Sequence, residues 1–329
     1  MKTLQNSTAA ALAASVLLFG LAATGAQAAS EVRYGLWAKK GEPQYDGAMK
    51  FKQILEAETK GKFKVTVYPG NQLGTPREML AQLAIGTTQV MASGDPGIKE
   101  IEYLALPYLM KGIANYAAVI SSPIGQKWNK KLVKQRKVRI LGFLPRSPRQ
   151  ISTNRIINTM ADLKGLKLRT PPRDYYVESL TALGAKPTPM AFKEVYTALQ
   201  TGVVDGQENP IETIYAQKFF EVQKAIAMID YIDKPAYVMI SDAFWNGLSD
   251  ADKKAFNKAQ AASRKLVVGI LPKKQKELLE KMKAAGVTVT YPKKAEFMAA
   301  TQKVRDKLGT ARWGEADYKE VVKIGKKDF

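Results

Sequence analysis

Apolar and polar positions along the chain follow two rhythms that keep replacing one another. Val32 to Ala38 (VRYGLWA) is an apolar run of strand length. The next segment, QYDGAMKFKQILEAETKGK, spaces its apolar residues as one face of a helix and stops at Gly61. FKVTVYPG then alternates with period two and breaks at Pro69-Gly70, which predicts a strand. A helix over about Pro76 to Ile85 and a strand over about Gln89 to Ala92 repeat the unit. Beyond them, Asn115 to Lys134 reads as one helix and Val138 to Leu144 (VRILGFL) as a strand. A second unit follows: LKGLKLRTPP as a strand ending at Arg169, a helix from about Asp174, a GAKPTPM strand and the helix FKEVYTALQTG. Strands and helices in alternation predict an α/β architecture. The tract from Ser249 to Ala285 reads as helical, with interruptions near Gly269 and Pro272. Its KKQKELLEKMK portion is charged on most faces, as suits a surface or bridging helix. No linker of biased composition separates the two sets of strands, so the chain is expected to cross between two domains more than once.

The amino terminus changes the picture first. Met1 to Ala28 carries Lys2 and then an uncharged Ala- and Leu-rich run, closing on the small-x-small pattern Ala26-Gln27-Ala28, which predicts a secretory signal. That run is too short for a good membrane span, and no other stretch approaches the roughly 20 apolar residues a span needs. The expected location is therefore periplasmic. The roughly 300 residues that follow suffice for two domains with their own cores. The chain has neither Cys nor His. Disulfides, Ser-His-Asp and Cys-His catalysis and the usual zinc sites are thereby excluded, and no cofactor or metal is expected. Fifty-one Lys and Arg stand against 30 Asp and Glu, a formal net charge of +21. Such a field attracts anions. Export and the lack of an aromatic-and-basic strand pattern argue against nucleic acid as a partner.

One short stretch crowds polar groups: GVVDGQENP, Gly202 to Pro210. Asp205 and Glu208 lack the spacing of a calcium loop. Locally the stretch reads as a helix stop at Gly202 followed by a turn leading to Pro210, with a polar ligand contact as the functional alternative. Upstream, Arg169 closes a strand and Arg149 opens RQISTN. A strand-end Arg in an α/β domain points toward the crevice where ligands collect, and a guanidinium grips a carboxylate with two parallel bonds. A surface ion pair is the plainer reading of either.

These residues stand in an ordered series: YPGNQLG, LALPYL, RQISTNR, LKGLKLRTP, GAKPTPMAFKEVYTALQTGVVDGQENP and AQKFFEVQK. The series resembles the solute-binding proteins of TRAP (tripartite ATP-independent periplasmic) transporters over essentially the whole chain after the signal. The resemblance implies a two-lobed clamshell of the periplasmic-binding-protein kind, each lobe a mixed β-sheet flanked by helices, with a long helix spanning both. Residues 29–147 with 236–275 would form one lobe, and 148–235 with 276–329 the other. It implies that Arg169 holds a ligand carboxylate, assisted by Arg149, that Asn209 contacts the ligand and that Phe192 packs on it. The partners implied are a small organic acid and the membrane permease subunits. No reaction is implied.

Compared with the sialic-acid-binding branch, the chain places Trp37 where a polar amide touches the sugar, and Pro76 and Ser93 where acids lie. That favours a monocarboxylate with an apolar or aromatic body resting on Trp37. Tyr45, Asp95 and Tyr175 are further candidates, chosen from loops expected to face the cleft. The rival readings are a ligand-sensing receptor on the same fold, an exported enzyme using Asp205 and Glu208 as acid and base, and a protein that binds anions through its surface charge.

Overall fold

The computed structural model describes residues 29–328; the signal-like segment 1–28 lies outside them. The strands are β1 (Ser30–Leu36), β2 (Phe63–Tyr68), β3 (Val90–Ser93), β4 (Val138–Leu144), β5 (Arg149–Thr153), β6 (Lys167–Thr170), β7 (Lys186–Pro189), β8 (Gly206–Pro210), β9 (Ala225–Ile232), β10 (Ala236–Ser241) and β11 (Thr288–Thr290). They build two sheets, ordered β2-β1-β3-β10-β4 and β11-β9-β5-β8-β6-β7. The chain passes from the first sheet to the second through residues 145–148, and returns through 233–235. Both sheets are mixed: β1 runs parallel to β2 and β3, while β10 lies antiparallel between β3 and β4.

Most elements lie where the periodicity predicts them. Helix Pro76–Ile85 begins with a capping box, Thr75 and Glu78 each satisfying the other's backbone N–H, and ends at Gly86 in the left-handed conformation. Two helical expectations change. The segment read as one helix is two, Ile113–Ser121 and Pro123–Arg136. Pro123 cannot donate to the preceding turn, so it starts a new helix that Ser122 caps. Conversely, the tract read as interrupted is one helix of 35 residues, Asp250–Ala284, with Pro272 inside it. Val267 and Leu271 are buried on one side of the proline and Leu278, Leu279 and Met282 on the other. Apolar burial of about 1.5 to 3 kcal/mol per side chain offsets the roughly 3 kcal/mol cost of an internal proline.

This helix bridges the lobes. Phe256, Ala259 and Val267 pack into the core of the first sheet, and Leu278, Leu279 and Met282 into that of the second. It lies close against helix Pro43–Glu58, where a Cβ on Gly47 would come within 2.7 Å of the Val267 side chain. Helix Lys294–Trp313 packs across both halves, with Trp313 stacked on Trp128 at 5.5 Å and Lys307 Nζ donating to Glu178 Oε2 at 2.8 Å, and helix Glu315–Gly325 packs on the first, where Asn115 donates its side-chain amide to Ile324 O at 2.8 Å. Among the described residues, no helix is long and apolar enough to cross a membrane.

The largest correction concerns Gly206–Pro210. Gly202 does end helix Val195–Gln200, at φ 71°. Residues 203–205 bend the chain, and from Gly206 on it is no turn: β8 is a buried central strand, antiparallel to β5 and parallel to β6. Its side chains are polar because they bond to polar groups on neighbouring strands, so no apolar signal marks it.

Candidate functional site: an arginine-lined cleft

Strands β5, β8 and β6 lie side by side, and their register brings three residues to one edge of the second sheet. Arg149 opens β5 opposite Pro210, Asn209 is the penultimate residue of β8 opposite Gln150, and Arg169 sits near the end of β6 beside Gln207. The carboxyl ends of parallel strands are where α/β sheets collect ligands. Arg149, Arg169 and Asn209 line a cavity of about 280 Å³. That is near the lower end of ligand-pocket sizes, which run from about 300 to 1,000 Å³.

The two arginines are bonded differently. Arg149 donates from Nη2 to Glu208 Oε1 at 2.8 Å, to Glu208 O at 2.6 Å and to Asn209 Oδ1 at 3.1 Å, and its Nε pairs with Glu208 Oε2. Tyr231 donates its hydroxyl to Glu208 Oε2 at 2.6 Å. Burial pulls the Arg149 pKa down, but the Glu208 carboxylate outweighs it and holds the group well above its ordinary value. Arg169 is 2% exposed and donates from Nε and Nη2 to a single acceptor, Met190 O, at 3.1 and 2.7 Å. Among the described residues, its Nη1 is buried without a partner. Burial lowers its pKa to about 10, with Glu208 opposing, so it stays charged at neutral pH. A guanidinium with one edge spent on a carbonyl and one nitrogen free is set to receive an oxygen anion.

Phe192 lies 5.8 Å from the Arg169 guanidinium, and Tyr176 lies 5.1 Å from that of Arg149. Trp37, Ser93, Asp95, Tyr175, Phe192 and Pro76 all line the same cavity. Ser93 and Asp95 form one turn, in which Ser93 Oγ accepts the Asp95 N–H at 3.0 Å. Tyr175 is fully buried, and its hydroxyl accepts from Lys234 Nζ at 2.9 Å. Tyr45 is the exception. It belongs to helix Pro43–Glu58 and packs against the core of the first sheet instead of lining the cavity. The helix period turns it away. Asp205 and Glu208 do not form a pair: Asp205 accepts the Lys167 N–H at 2.7 Å, whereas Glu208 faces Arg149.

Sequence reasoning missed Arg146, Arg173 and Lys234, which also line the cavity. Arg146 stands in the link between the sheets with its guanidinium 4.8 Å from the centre of Trp37. Arg173 reaches from the second lobe to Asp95 at 2.7 Å and Glu102 at 2.5 Å, tying the lobes together at the rim. Only the basic composition hinted at them, and it could not say which cations face inward.

Residues 34–310 match the family described as bacterial extracellular solute-binding protein, family 7. The chain belongs to this family. The solute-binding protein is 36% identical to the sialic acid-binding periplasmic protein SiaP of Vibrio cholerae over 306 residues, 92% of this chain and 94% of the relative. A TRAP periplasmic solute-binding protein from Roseobacter denitrificans with bound L-galactonate superposes with TM-score 0.79 at 30% identity, covering 90% of this chain and 98% of that one. Another, from Polaromonas sp. JS666 bound to D-erythronate, gives 0.82 at 27%, covering 91% and 100%. The fold is thus that of a two-lobed TRAP receptor, and the protein binds a solute for transport and is not an enzyme. Its family is periplasmic.

Proposed function

We propose that this receptor captures a small organic acid by one carboxylate, held on Arg169 at the floor of the cleft, and delivers it to the membrane permease of its transporter. The observation that carries the reading is that Nη1 of Arg169, a residue lining the cavity, is buried with no partner among the described residues. Charge supports a single carboxylate. Five cations line the cavity, namely Arg146, Arg149, Arg169, Arg173 and Lys234, against Asp95 and Glu102. Glu208 neutralises Arg149, Glu212 lies close enough to Arg146 to act on it, and burial pushes Glu42 up to about 7. About one positive charge is left for the ligand. Asn209, fixed between Arg149 and Gln207, would contact the ligand beside Arg169, and Phe192 would hold the guanidinium plane. The relatives' ligands, L-galactonate and D-erythronate, are acids of this charge. An apolar or aromatic body would have to rest on a Trp37 ring that already carries the Arg146 guanidinium, and is the less favoured form.

Export through the signal read in residues 1–28 fits this role. We take residues 29–147 with 236–275, and 148–235 with 276–329, as the bodies that close on the ligand. Helix Glu315–Gly325 is an exception, because its packing on Ile113–Ser121 makes it ride with the first body. Ligand favours closure because only the closed cleft presents both walls.

Isothermal titration of the signal-free protein with a panel of organic acids tests the reading, with Arg169→Ala alongside. Removing a desolvated charge partner costs about 2 to 5 kcal/mol, so affinity should fall roughly 30- to 4000-fold. Affinity retained in the variant would sink the proposal.

A further inference from the structure

A second set of unanswered donors lines the cavity that holds Arg169. Arg146 lies in the link between β4 and β5, and donates from Nη2 to Thr213 Oγ1 at 3.1 Å. Among the described residues, its Nε is buried with no partner, and so is the indole Nε1 of Trp37, the ring on which it lies. Both side chains line the cavity that holds Arg169. Among the described residues, no carboxylate lies within ion-pairing distance of Arg146, although Glu212 and Glu42 act on it at longer range. An N–H sealed from water without an acceptor is costly, and native sites keep such groups for a ligand or an ordered water.

We propose that Arg146, with Trp37, is the specificity-determining pair of this cleft and reads neutral oxygens of the ligand, so that the solute is a hydroxylated monocarboxylic acid and not an apolar one. The inference rests on the carboxylate being held by Arg169. Two adjacent donors on a flat aromatic wall suit hydroxyl or carbonyl oxygens arranged along a short chain. A second carboxylate suits them less, because Glu212 already balances Arg146. An acid lacking the hydroxyls would leave both donors buried and unpaired, and sites built this way reject the deoxy analogue by large factors.

The test compares acids of equal chain length, galactonate, hexanoate and adipate, with erythronate and butyrate as a shorter pair, by titration calorimetry on the signal-free protein. The wild type should favour the better-bound hydroxy acid over its deoxy partner by about 100-fold or more. Arg146→Lys keeps the charge and loses the planar fork, and should shrink that ratio to roughly tenfold or less while hexanoate or butyrate binding changes about threefold at most. If Arg146→Lys fails to fold, judged by its thermal melt, Trp37→Phe keeps the stacking ring and removes Nε1. It should then lower hydroxy-acid affinity about tenfold and deoxy-acid affinity by less, so that the ratio still shrinks. An unchanged ratio in the variant, equal loss for both acids, or adipate or a deoxy acid binding tightest in the wild type would overturn the proposal. Failure of the underlying carboxylate reading shows separately, as acid binding that survives Arg169→Ala.

Discussion

Arg149 and Arg169 flank the same strand, β8, on the same sheet edge, and each lies near an aromatic ring, yet they are bonded in opposite ways. Around Arg149 the network is closed: Glu208 takes two of its nitrogens, Asn209 adds an acceptor, and Tyr231 completes the carboxylate. Around Arg169 it is open, with one carbonyl as the only acceptor among the described residues. In the proposed reading the unsaturated guanidinium takes the ligand and the saturated one holds the geometry. Placing them side by side gives a floor that is rigid before the solute arrives, which lowers the ordering cost of binding.

The sharpest way to break this contrast is Glu208→Ala, which leaves Arg149 charged, buried and unpaired. We expect a loss of about 3 to 5 kcal/mol of stability in urea unfolding, because breaking one side of a buried pair exposes the whole desolvation cost. A loss below about 1 kcal/mol would mean that water reaches Arg149.

Next in size is a pH effect from the wall. Burial lifts Glu42 to about 7, with Glu212 adding to the rise. The folded protein therefore holds a proton that the unfolded chain releases near 4.3. Stability from this group is highest below about pH 4, falls as pH rises toward 7 and is level above it. Glu42→Gln should remove up to about 3 kcal/mol of that decline, seen as a smaller gap between melting temperatures at pH 5 and pH 8. Asp233, also lifted to about 7 by burial, acts with the same sign, so the variant should keep part of the slope.

Arg169→Met should move stability by about 1 kcal/mol or less, since the residue makes no ion pair among the described residues and its replacement is apolar. Large destabilisation there would make Arg169 a structural residue like Arg149, and the comparison would collapse. The smallest effect is expected at the rim. Arg173 is partly exposed, so Arg173→Gln should cost about 1 kcal/mol or less in apo stability. Ligand release measured by stopped flow should quicken, because the tie between the lobes is gone.

Where local pattern and final packing agree, the fold was legible in advance. Val138–Leu144 and Pro76–Ile85 lie where apolar spacing and caps put them. The long helix was misread because Pro272 is a strong local breaker, and only burial on both lobes outweighs it. Strand β8 was misread for the reverse reason. GQENP carries no apolar alternation, since its side chains answer polar groups on β5, β9 and in the cleft rather than a greasy core. Tyr45 was assigned to the cleft from its place in a loop, and the helix that contains it packs the half-buried ring against the first core.

The amino-acid sequence by itself determined the α/β class, the exclusion of His- and Cys-based chemistry, and the motif series that placed Arg149, Arg169 and Asn209 in a carboxylate-binding family. Those follow from residue type and order, which need no neighbours. Only the tertiary structure decided which arginine is spent and which is free, and that Arg146 lies on Trp37, 109 positions away in a chain of 329. Whether a guanidinium is paired depends on which acceptors the strands and links bring within about 3 Å, a distance set by packing and not by spacing along the chain.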